Sequence, residues 1–141
     1  TATQAYFPEP TGYVVDSSGV LKTETVASLN ANLTVFAKTK TGEIAVVTVK
    51  TVAPLDLEGY SIKLAEKFKV GDDELDNGVI LLIVTEDREL RIEVGRGVED
   101  KITDAEAGRI IEGLIVPRLK EGDWDGGVIS AVQAIKIELS Q

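Results

Sequence analysis

A run of six apolar residues, Val79 to Val84, constrains the fold of this chain more than any other feature. The run follows Asp76-Asn77-Gly78 and consists of valine, isoleucine and leucine. It is too short for an isolated helix, and an unbroken apolar run of this length is typical of a strand that is covered on both faces. We therefore predict that Val79 to Val84 is the central strand of a sheet.

The residues after this run predict an antiparallel partner strand. Glu86 to Glu89 can form a four-residue hairpin loop, and apolar and charged residues then alternate from Leu90 to Gly95. The alternation indicates a strand with one face in the core and one face in water. The residues predicted to point inward are Leu90, Ile92 and Val94, and those predicted to point outward are Arg91 and Glu93.

The expected register of this hairpin brings two acidic residues together. If the loop pairs Thr85 with Leu90, then Gly78 pairs with Gly97 and Asp76 lies opposite Glu99. Two facing carboxylates repel each other. Either one of them therefore has a raised pKa or the pair binds a cation, unless the two chain segments separate there. This pairing is the strongest chemical indication in the sequence.

The rest of the chain predicts alternating strands and helices in a single domain over residues 1–141. The predicted elements are an extended lead-in over 1–10, a short strand Tyr13–Val15, a helix Glu24–Lys40 capped by Thr23, a strand Gly42–Val49, a helix Leu57–Lys69 capped by Asp56, a helix that starts at a Thr103–Glu106 capping box and ends or kinks at Pro117, and a last helix from Gly126 capped by Asp125. A strand, a helix and a buried strand indicate a right-handed parallel crossover. We predict an α/β fold: a three-layer α/β/α sandwich whose small mixed sheet combines a parallel crossover with an antiparallel hairpin.

The charge and composition restrict the classes of ligand. The net charge of −9 argues against binding to nucleic acid, which needs a basic surface. The segment from Asp72 to Asp104 contains eleven acidic and four basic residues, and it therefore carries −7 of that charge. The chain contains no Cys, His or Met, so thiolate or Ser-His catalysis is excluded and any metal ion must be bound by oxygen.

These observations predict a metal site at the acidic end of the hairpin, where the parallel strands begin. The candidate ligands are Asp76, Asn77, Glu99, Asp100 and Asp104, and calcium tolerates their irregular spacing better than magnesium, which is the second choice. The alternative is that Asp76 and Asn77 shape a turn, Asp104 favours a helix N-terminus, and Glu99 and Asp100 are solvated. Asp16, which most simply stabilises a turn, and the pair Asp123 and Asp125 are other places for an ion.

Two familiar ligand-binding motifs do not fit. Gly95-Arg96-Gly97 lacks the third glycine or the lysine of a phosphate-binding loop, and acidic residues follow it. Residues 72–77 fail the EF-hand pattern because Asn77 occupies the position that requires glycine. The sequence therefore gives no support for nucleotide binding or for an EF-hand.

No stretch of the sequence predicts a membrane span, because the longest wholly apolar run is six residues. We expect no direct insertion of this segment into a membrane. The chain begins at Thr1 rather than Met, and we expect a processed domain whose targeting or anchoring segments lie outside this sequence.

The sequence resembles the TPM domain family, which is also found in thylakoid lumen acid phosphatase-like and photosystem repair proteins. The stretches that carry the resemblance are residues 12–21, 41–49, 76–82, 87–95 and 97–99, Pro117, and Gly122-Asp123-Trp124. They follow the order of the family along nearly the whole chain. Trp124 is a mild departure, since the family more often has Tyr there.

The resemblance implies an α/β sandwich that acts outside the cytoplasm, as a periplasmic, secreted or membrane-anchored domain. It also implies calcium binding or weak acid phosphatase activity, which members of the family show. We therefore expect an accessory or interaction domain that binds a divalent cation, with a membrane protein as its partner. The alternative is a weak, metal-assisted acid phosphatase; Arg96 and Lys101 are the only basic residues near the proposed site, and this shortage favours binding over turnover.

Overall fold

The computed structural model describes residues 4–141 and shows a four-stranded mixed sheet between helices. The strands are β1 (Val14–Asp16), β2 (Glu43–Val49), β3 (Gly78–Val84) and β4 (Glu89–Val94). The helices are α1 (Thr23–Lys38), α2 (Leu57–Phe68), α3 (Asp104–Ile110), α4 (Val116–Lys120) and α5 (Trp124–Leu139), with a 3₁₀ turn at Arg96–Val98 and a π-helical turn at Ile111–Ile115. Residues 4–10 contain no helix or strand, and the first three residues of the predicted lead-in lie outside the described residues.

The sheet has the order β1-β2-β3-β4, in which the first three strands are parallel and β4 is antiparallel to β3. Helices α1, α3 and α5 pack on one face of the sheet, and α2 packs on the other face together with Ala5 and Phe7. These layers confirm the predicted three-layer sandwich and its mixed sheet.

Strand β3 is the centre of both cores. All seven of its residues are buried, and they alternate between the two faces of the sheet. Val79, Leu81 and Ile83 contact the core under α1 and α5, whereas Ile80 and Leu82 contact the core under α2. The unbroken apolar run was therefore interpreted correctly as a strand covered on both faces.

The two parallel crossovers have opposite hands. Both connections, β1-α1-β2 and β2-α2-β3, step in the same direction across the sheet, yet α1 and α2 lie on opposite faces. Two crossovers of the same hand would have placed both helices on one face. The right-handed geometry that is usual for such units therefore holds for only one of them.

The predicted register of the hairpin was wrong by two residues. Val84 pairs with Glu89 and Val79 with Val94, so the four-residue loop comprises residues 85–88. The N–H group of Gly95 donates to the carbonyl oxygen of Gly78 at 2.8 Å. A shift of two residues keeps every side chain on its predicted face, but it places Asp76 beside Gly97 instead of opposite Glu99.

The helix ends follow the predicted caps in two cases out of four. Asp56 accepts a hydrogen bond from the Gly59 N–H at 2.7 Å, and Thr103 accepts one from the Glu106 N–H at 3.2 Å. Helix α1 instead begins after Lys22 without a side-chain cap. Helix α5 begins two residues before the predicted start, because Asp123, not Asp125, accepts from the Gly126 N–H at 2.9 Å.

Pro117 does not end the helical stretch that starts at Asp104, which continues to Lys120. It lies in the first turn of α4, directly after the π-helical turn. A proline is tolerated in a first turn because its missing N–H needs no partner there. Among residues 4–141, no helix combines the length and the apolar character that a membrane span requires.

Candidate functional site

Asn77 acts as a structural link at the start of β3. Its side-chain oxygen accepts a hydrogen bond from the Asp72 N–H at 2.9 Å, and its side-chain nitrogen donates to the Lys40 carbonyl at 3.3 Å. Its backbone oxygen accepts from the Glu43 N–H at 3.2 Å. Asn77 is only 5% exposed, so its amide already joins the acidic loop to the start of β2.

Asp76 is enclosed by the segment Gly95-Arg96-Gly97. Its backbone oxygen accepts from the Gly97 N–H at 2.9 Å, and its carboxylate Oδ2 accepts from the Arg96 N–H at 3.1 Å. A Cβ atom on Gly95 would collide with the Asp76 carbonyl, and one on Gly97 would collide with the Leu75 carbonyl. Both glycines are therefore required by this close approach of two backbones, and the glycine pair has a structural reason unrelated to phosphate.

Asp72 stabilises the turn that leads into Asp76. Its side chain accepts hydrogen bonds from the N–H groups of Glu74 at 2.9 Å and Leu75 at 3.2 Å. The bond from Leu75, followed by the bond from Glu74, holds the pKa of Asp72 below its usual value. The Asp76 N–H in turn donates to the Asp72 carbonyl at 2.7 Å, and Asp76 adopts a left-handed backbone with φ of 46°.

The remaining predicted ligands, Glu99, Asp100 and Asp104, are exposed on the far side of the 3₁₀ turn. Within residues 4–141, no group of three or more acidic side chains is arranged to hold a metal ion. The structure therefore brings Asp76 and Asn77 together as neighbours in the chain, but it does not gather the five predicted residues around one point. Calcium binding by this set stays a prediction.

A groove of about 420 Å³ lies beside Asp76, between the end of α2 and the end of β4. Glu66 and Glu93 line it with Asp76, and Arg96 adds a cation. Glu93 is positioned by a bond from the Ser61 hydroxyl at 2.9 Å and by an ion pair with Arg91 at 3.0 Å. The sequence identified Glu93 only as an outward residue, and it gave no signal for Glu66, which approaches through the packing of α2 on the sheet.

Asp16 stabilises a turn, as its simplest interpretation predicted. Its carboxylate accepts the Thr48 hydroxyl at 2.6 Å and the N–H groups of Val20 at 3.2 Å and Leu21 at 2.9 Å. The turn also reaches β3, since the hydroxyl groups of Ser18 and Thr85 are 2.8 Å apart. Asp16 therefore anchors the loop after β1 to the carboxyl ends of the parallel strands.

Asp123 and Asp125 are also occupied by structural contacts. Besides capping α5, Asp123 pairs with Arg118 at 3.4 Å. Asp125 accepts from the Lys22 N–H at 2.9 Å and so connects α5 to the start of α1. Partial burial raises the pKa of Asp125, but hydrogen bonds from the Thr25 side chain and the Lys22 N–H outweigh it and leave the pKa below its usual value.

A second groove, of about 610 Å³, lies at the opposite end of the hairpin. Its walls come from the end of β3, the start of β4, helix α4 and Trp124, and Arg88 and Lys120 line it. Sequence reasoning missed this groove because residues near positions 88 and 120 meet only through tertiary packing. It lies where the central parallel strand ends, which is the usual place for ligands in an open α/β sheet.

Three solved bacterial proteins have a similar fold. The N-terminal domain of a protein from P. gingivalis superposes with a TM-score of 0.82 and 27% identity, covering 96% of this chain and 93% of that one. BA42 from Bizionia argentinensis gives 0.72 at 22% identity over 85% and 81% of the two chains. The N-terminal domain of a Corynebacterium glutamicum protein gives 0.67 at 20% identity over 96% and 86%.

Among curated proteins, none matches the chain. The model of the TPM domain family matches residues 14–137, from β1 into the last turn of α5. This range includes all four strands and nearly all of the helical layer, and so it covers both grooves and the acidic loop. The chain belongs to the TPM domain family.

Proposed function

We propose that this TPM domain binds a divalent cation at the acidic end of its sheet, calcium in preference to magnesium, and serves as an accessory or interaction domain outside the cytoplasm. The single observation that supports the proposal is the position of Asp76. Its carboxylate is held by one backbone N–H through Oδ2 and lines the same groove as Glu66 and Glu93. Its Oδ1 accepts no hydrogen bond from residues 4–141, and this oxygen is available to a cation.

The surrounding charge favours a hard cation over an anion. The segment 72–104 carries −7, and Glu99, Asp100 and Asp104 are exposed side chains of this segment. Calcium accepts six to eight oxygen ligands in flexible geometry, including water and backbone carbonyls, whereas magnesium demands a near-ideal octahedron. Asp76 and the exposed carboxylates of this segment would hold the ion, and Asn77 would fix the loop that carries Asp76.

Calcium titration tests the proposal. We expect calcium to raise the melting temperature, because a ligand that binds only the folded state stabilises it by mass action. Asp76→Asn and Glu99→Gln should each weaken calcium binding at least about tenfold, since each removes a charged ligand. Binding is measured by isothermal titration calorimetry, and melting by circular dichroism.

Glu86→Gln is the matched control, because it removes one exposed carboxylate of the same acidic segment at the other end of the hairpin. It should leave the affinity for calcium unchanged. Equal binding in the wild type, Asp76→Asn and Glu99→Gln would place the ion elsewhere. No heat and no shift in melting temperature at millimolar calcium would refute the proposal.

The extracytoplasmic location and a membrane-protein partner are parts of this proposal that the family resemblance supports. The full-length gene product, fractionated into cytoplasmic, membrane and external fractions, tests both. Recovery of the intact protein in the cytoplasmic fraction alone would contradict the location.

A second candidate function is weak, metal-assisted hydrolysis of phosphomonoesters in the groove beside Asp76. The observation that favours it is Arg96, which lines this groove and can attract a phosphoryl oxygen. A bound ion would neutralise charge on the phosphoryl group, and Asp76 would accept a proton from the attacking water. Turnover of a generic phosphomonoester that disappears in chelator, returns with calcium or magnesium and is lost in Asp76→Asn would support it. Turnover in full chelator would exclude the metal-assisted route.

A further inference from the structure

Strand β4 is an edge of the sheet, and its outer side offers backbone groups that residues 4–141 do not pair. The Gly95 N–H donates to the Gly78 carbonyl, and Val79 lies opposite Val94. In an antiparallel ladder the residues that bond to the partner alternate with those that do not. The N–H and C=O groups at positions 90, 92 and 94 therefore point away from β3.

Within residues 4–141, this edge has only part of the usual protection against further pairing. Natural edge strands are shielded by proline, by a bulge or by free charged side chains. Strand β4 contains no proline, and its register with β3 is continuous from Val79 to Val84. Of its three charged residues, Glu89 is exposed at the start of the strand. Arg91 and Glu93 pair with each other, and Glu93 also accepts from Ser61 on α2. These charges are held on the α2 face and leave the backbone edge open.

The larger groove begins at one end of this edge. Leu90 of β4 contributes to its apolar lining together with Ile83, Val116, Leu119 and Trp124. The larger groove therefore continues from the edge strand to a space under α4, which we call the hollow. Its apolar lining suits an aliphatic side chain.

Two cations line this hollow. Arg88 and Lys120 are exposed, and neither forms an ion pair within residues 4–141. Among the described residues that line the hollow, Glu89 is the one acidic residue, so the lining itself carries a net charge of +1 in a chain whose net charge is −9. The hollow is therefore complementary to an anionic group that is attached to an apolar body.

The direction of the strands decides which end of a peptide reaches this hollow. A strand that adds antiparallel to β4 runs in the same direction as β3, and β3 ends at the hairpin loop. The carboxyl end of the added strand would therefore lie beside Arg88 and Lys120. Alternate side chains of an added strand point to the face of the sheet on which the hollow lies. The last side chain can therefore enter the hollow while the terminal carboxylate contacts Arg88 and Lys120.

We propose that β4 and this groove bind the free C-terminus of an extended protein chain that ends in an aliphatic residue, adding it as a fifth, antiparallel strand. Main-chain hydrogen bonds to positions 90, 92 and 94 hold the strand, and the hollow selects its last residue. This inference names a class of partner for the interaction role proposed above. It rests on that role but not on cation binding.

A labelled five-residue peptide of alternating threonine and valine, ending in valine with a free carboxylate, tests the inference by fluorescence anisotropy. The same peptide with a C-terminal amide should bind at least about tenfold more weakly, because the charged contact with Arg88 and Lys120 is lost. Two further peptides carry N-methyl groups on either set of alternate residues. One should lose binding and the other should keep it, since only alternate N–H groups of the added strand face β4.

The protein variants separate this site from general electrostatics. The double variant Arg88→Ala, Lys120→Ala should weaken binding of the free-acid peptide about tenfold, to the level of the amide. The double variant Lys38→Ala, Lys63→Ala removes the same charge from exposed positions elsewhere and should bind like the wild type. Amide NMR shifts should concentrate at positions 88–94 and 116–124.

All measurements are made in chelator, so failure of the cation proposal does not affect them. Equal binding of acid and amide peptides, equal loss with both N-methyl patterns, or no binding at millimolar protein would each overturn the inference. Amide shifts confined to other surfaces would do the same.

Discussion

At the scale of single residues, the acidic side chains of this domain divide into those that complete the fold and those that remain available. Asp16, Asp72 and Asp123 each accept backbone N–H groups close to them in the chain. Every buried side-chain nitrogen and oxygen among residues 4–141 has a hydrogen-bond partner. Ligand chemistry must therefore use exposed or groove-lining groups such as Asp76.

We expect Asp16→Ala to destabilise the fold by about 2 to 4 kcal/mol. The substitution removes three hydrogen bonds to a charged acceptor and leaves the hydroxyl proton of the buried Thr48 without an acceptor. Urea unfolding measures the effect. Asp87→Ala, which removes one exposed bond to Thr51, should cost less than about 0.5 kcal/mol. Equal stability of the two variants would contradict the anchoring role of Asp16.

The sequence predicted Asp16 and Asp56 correctly because their backbone N–H partners lie within a few residues. Asn77 was predicted to be either a ligand or a residue that shapes a turn, because nothing near it in the chain shows that its side chain reaches Lys40. Lys40 and Asn77 meet only when β2 and β3 pair. Residue roles that depend on local backbone geometry can therefore be predicted from sequence, whereas roles that depend on contacts between distant segments cannot.

At the scale of secondary-structure elements, β3 contributes most to the fold. Leu82 is fully buried in the core under α2. We expect Leu82→Ala to cost about 2 to 5 kcal/mol, because it combines lost burial with a cavity in close-packed surroundings. The midpoint of urea unfolding measures this, and Ile62→Ala, at a side chain that is 44% exposed on α2, serves as the control. An unchanged midpoint in Leu82→Ala would refute the central position of β3.

The hairpin shows where prediction of elements reaches its limit. Hydrophobic alternation predicted β4 and its inward face, because a strand with one buried face has a period of two residues. The same period cannot distinguish registers that differ by two residues. The loop Thr85 to Arg88 contains no Asn-Gly turn that would fix the register, and Arg88 instead adopts a left-handed φ of 54°. The predicted pairing of Asp76 with Glu99 was wrong for this reason.

Helix α2 holds the N-terminal segment against the sheet through Tyr60. The Tyr60 hydroxyl donates to the backbone oxygen of Tyr6, and the Phe7 ring stacks on Tyr60 at 4.4 Å between centroids. Burial, with a smaller contribution from Tyr6, raises the pKa of Tyr60 to about 12. Its folded pKa exceeds the unfolded value of 10.0, so its contribution to stability is complete below pH 10 and is lost as the pH rises from 10 to 12.

We therefore expect wild-type stability to fall by about 2 to 3 kcal/mol more than that of Tyr60→Phe between pH 9 and 12. The phenylalanine variant cannot ionise at this position, and at pH 8 it should lose only about 1 kcal/mol with the hydrogen bond. Guanidinium unfolding at several pH values gives the difference between the two proteins. Parallel curves for the two proteins would show that Tyr60 ionises as freely in the folded state as in the unfolded state.

At the scale of the whole molecule, the β3-β4 hairpin connects two surfaces of opposite character. The acidic groove beside Asp76 lies at one end, and the hollow lined by Arg88 and Lys120 lies at the other. Composition predicted the acidic end from the charge of residues 72–104. It could not predict the basic hollow, because two isolated cations in an acidic chain give no pattern until the hairpin loop and α4 are brought together.

The separation of these surfaces predicts that the two proposed ligands bind independently. Seven residues of β3 span about 20 Å at roughly 3.3 Å per residue, and the Debye length at physiological salt is about 8 Å. The charge of a calcium ion at Asp76 is therefore largely screened at Arg88. Coupling would otherwise need a conformational change that both ligands bias. Strand β3 is buried throughout and close-packed on both faces, so we expect no such change.

We expect the dissociation constant of the free-acid peptide, measured by anisotropy at 0.15 M salt, to change by less than about twofold between chelator and saturating calcium. This corresponds to a coupling free energy below about 0.4 kcal/mol. At 0.01 M salt, where the Debye length is about 30 Å, calcium should strengthen the interaction with the anionic terminus slightly. A tenfold change at physiological salt would show instead that the hairpin transmits binding from one end to the other.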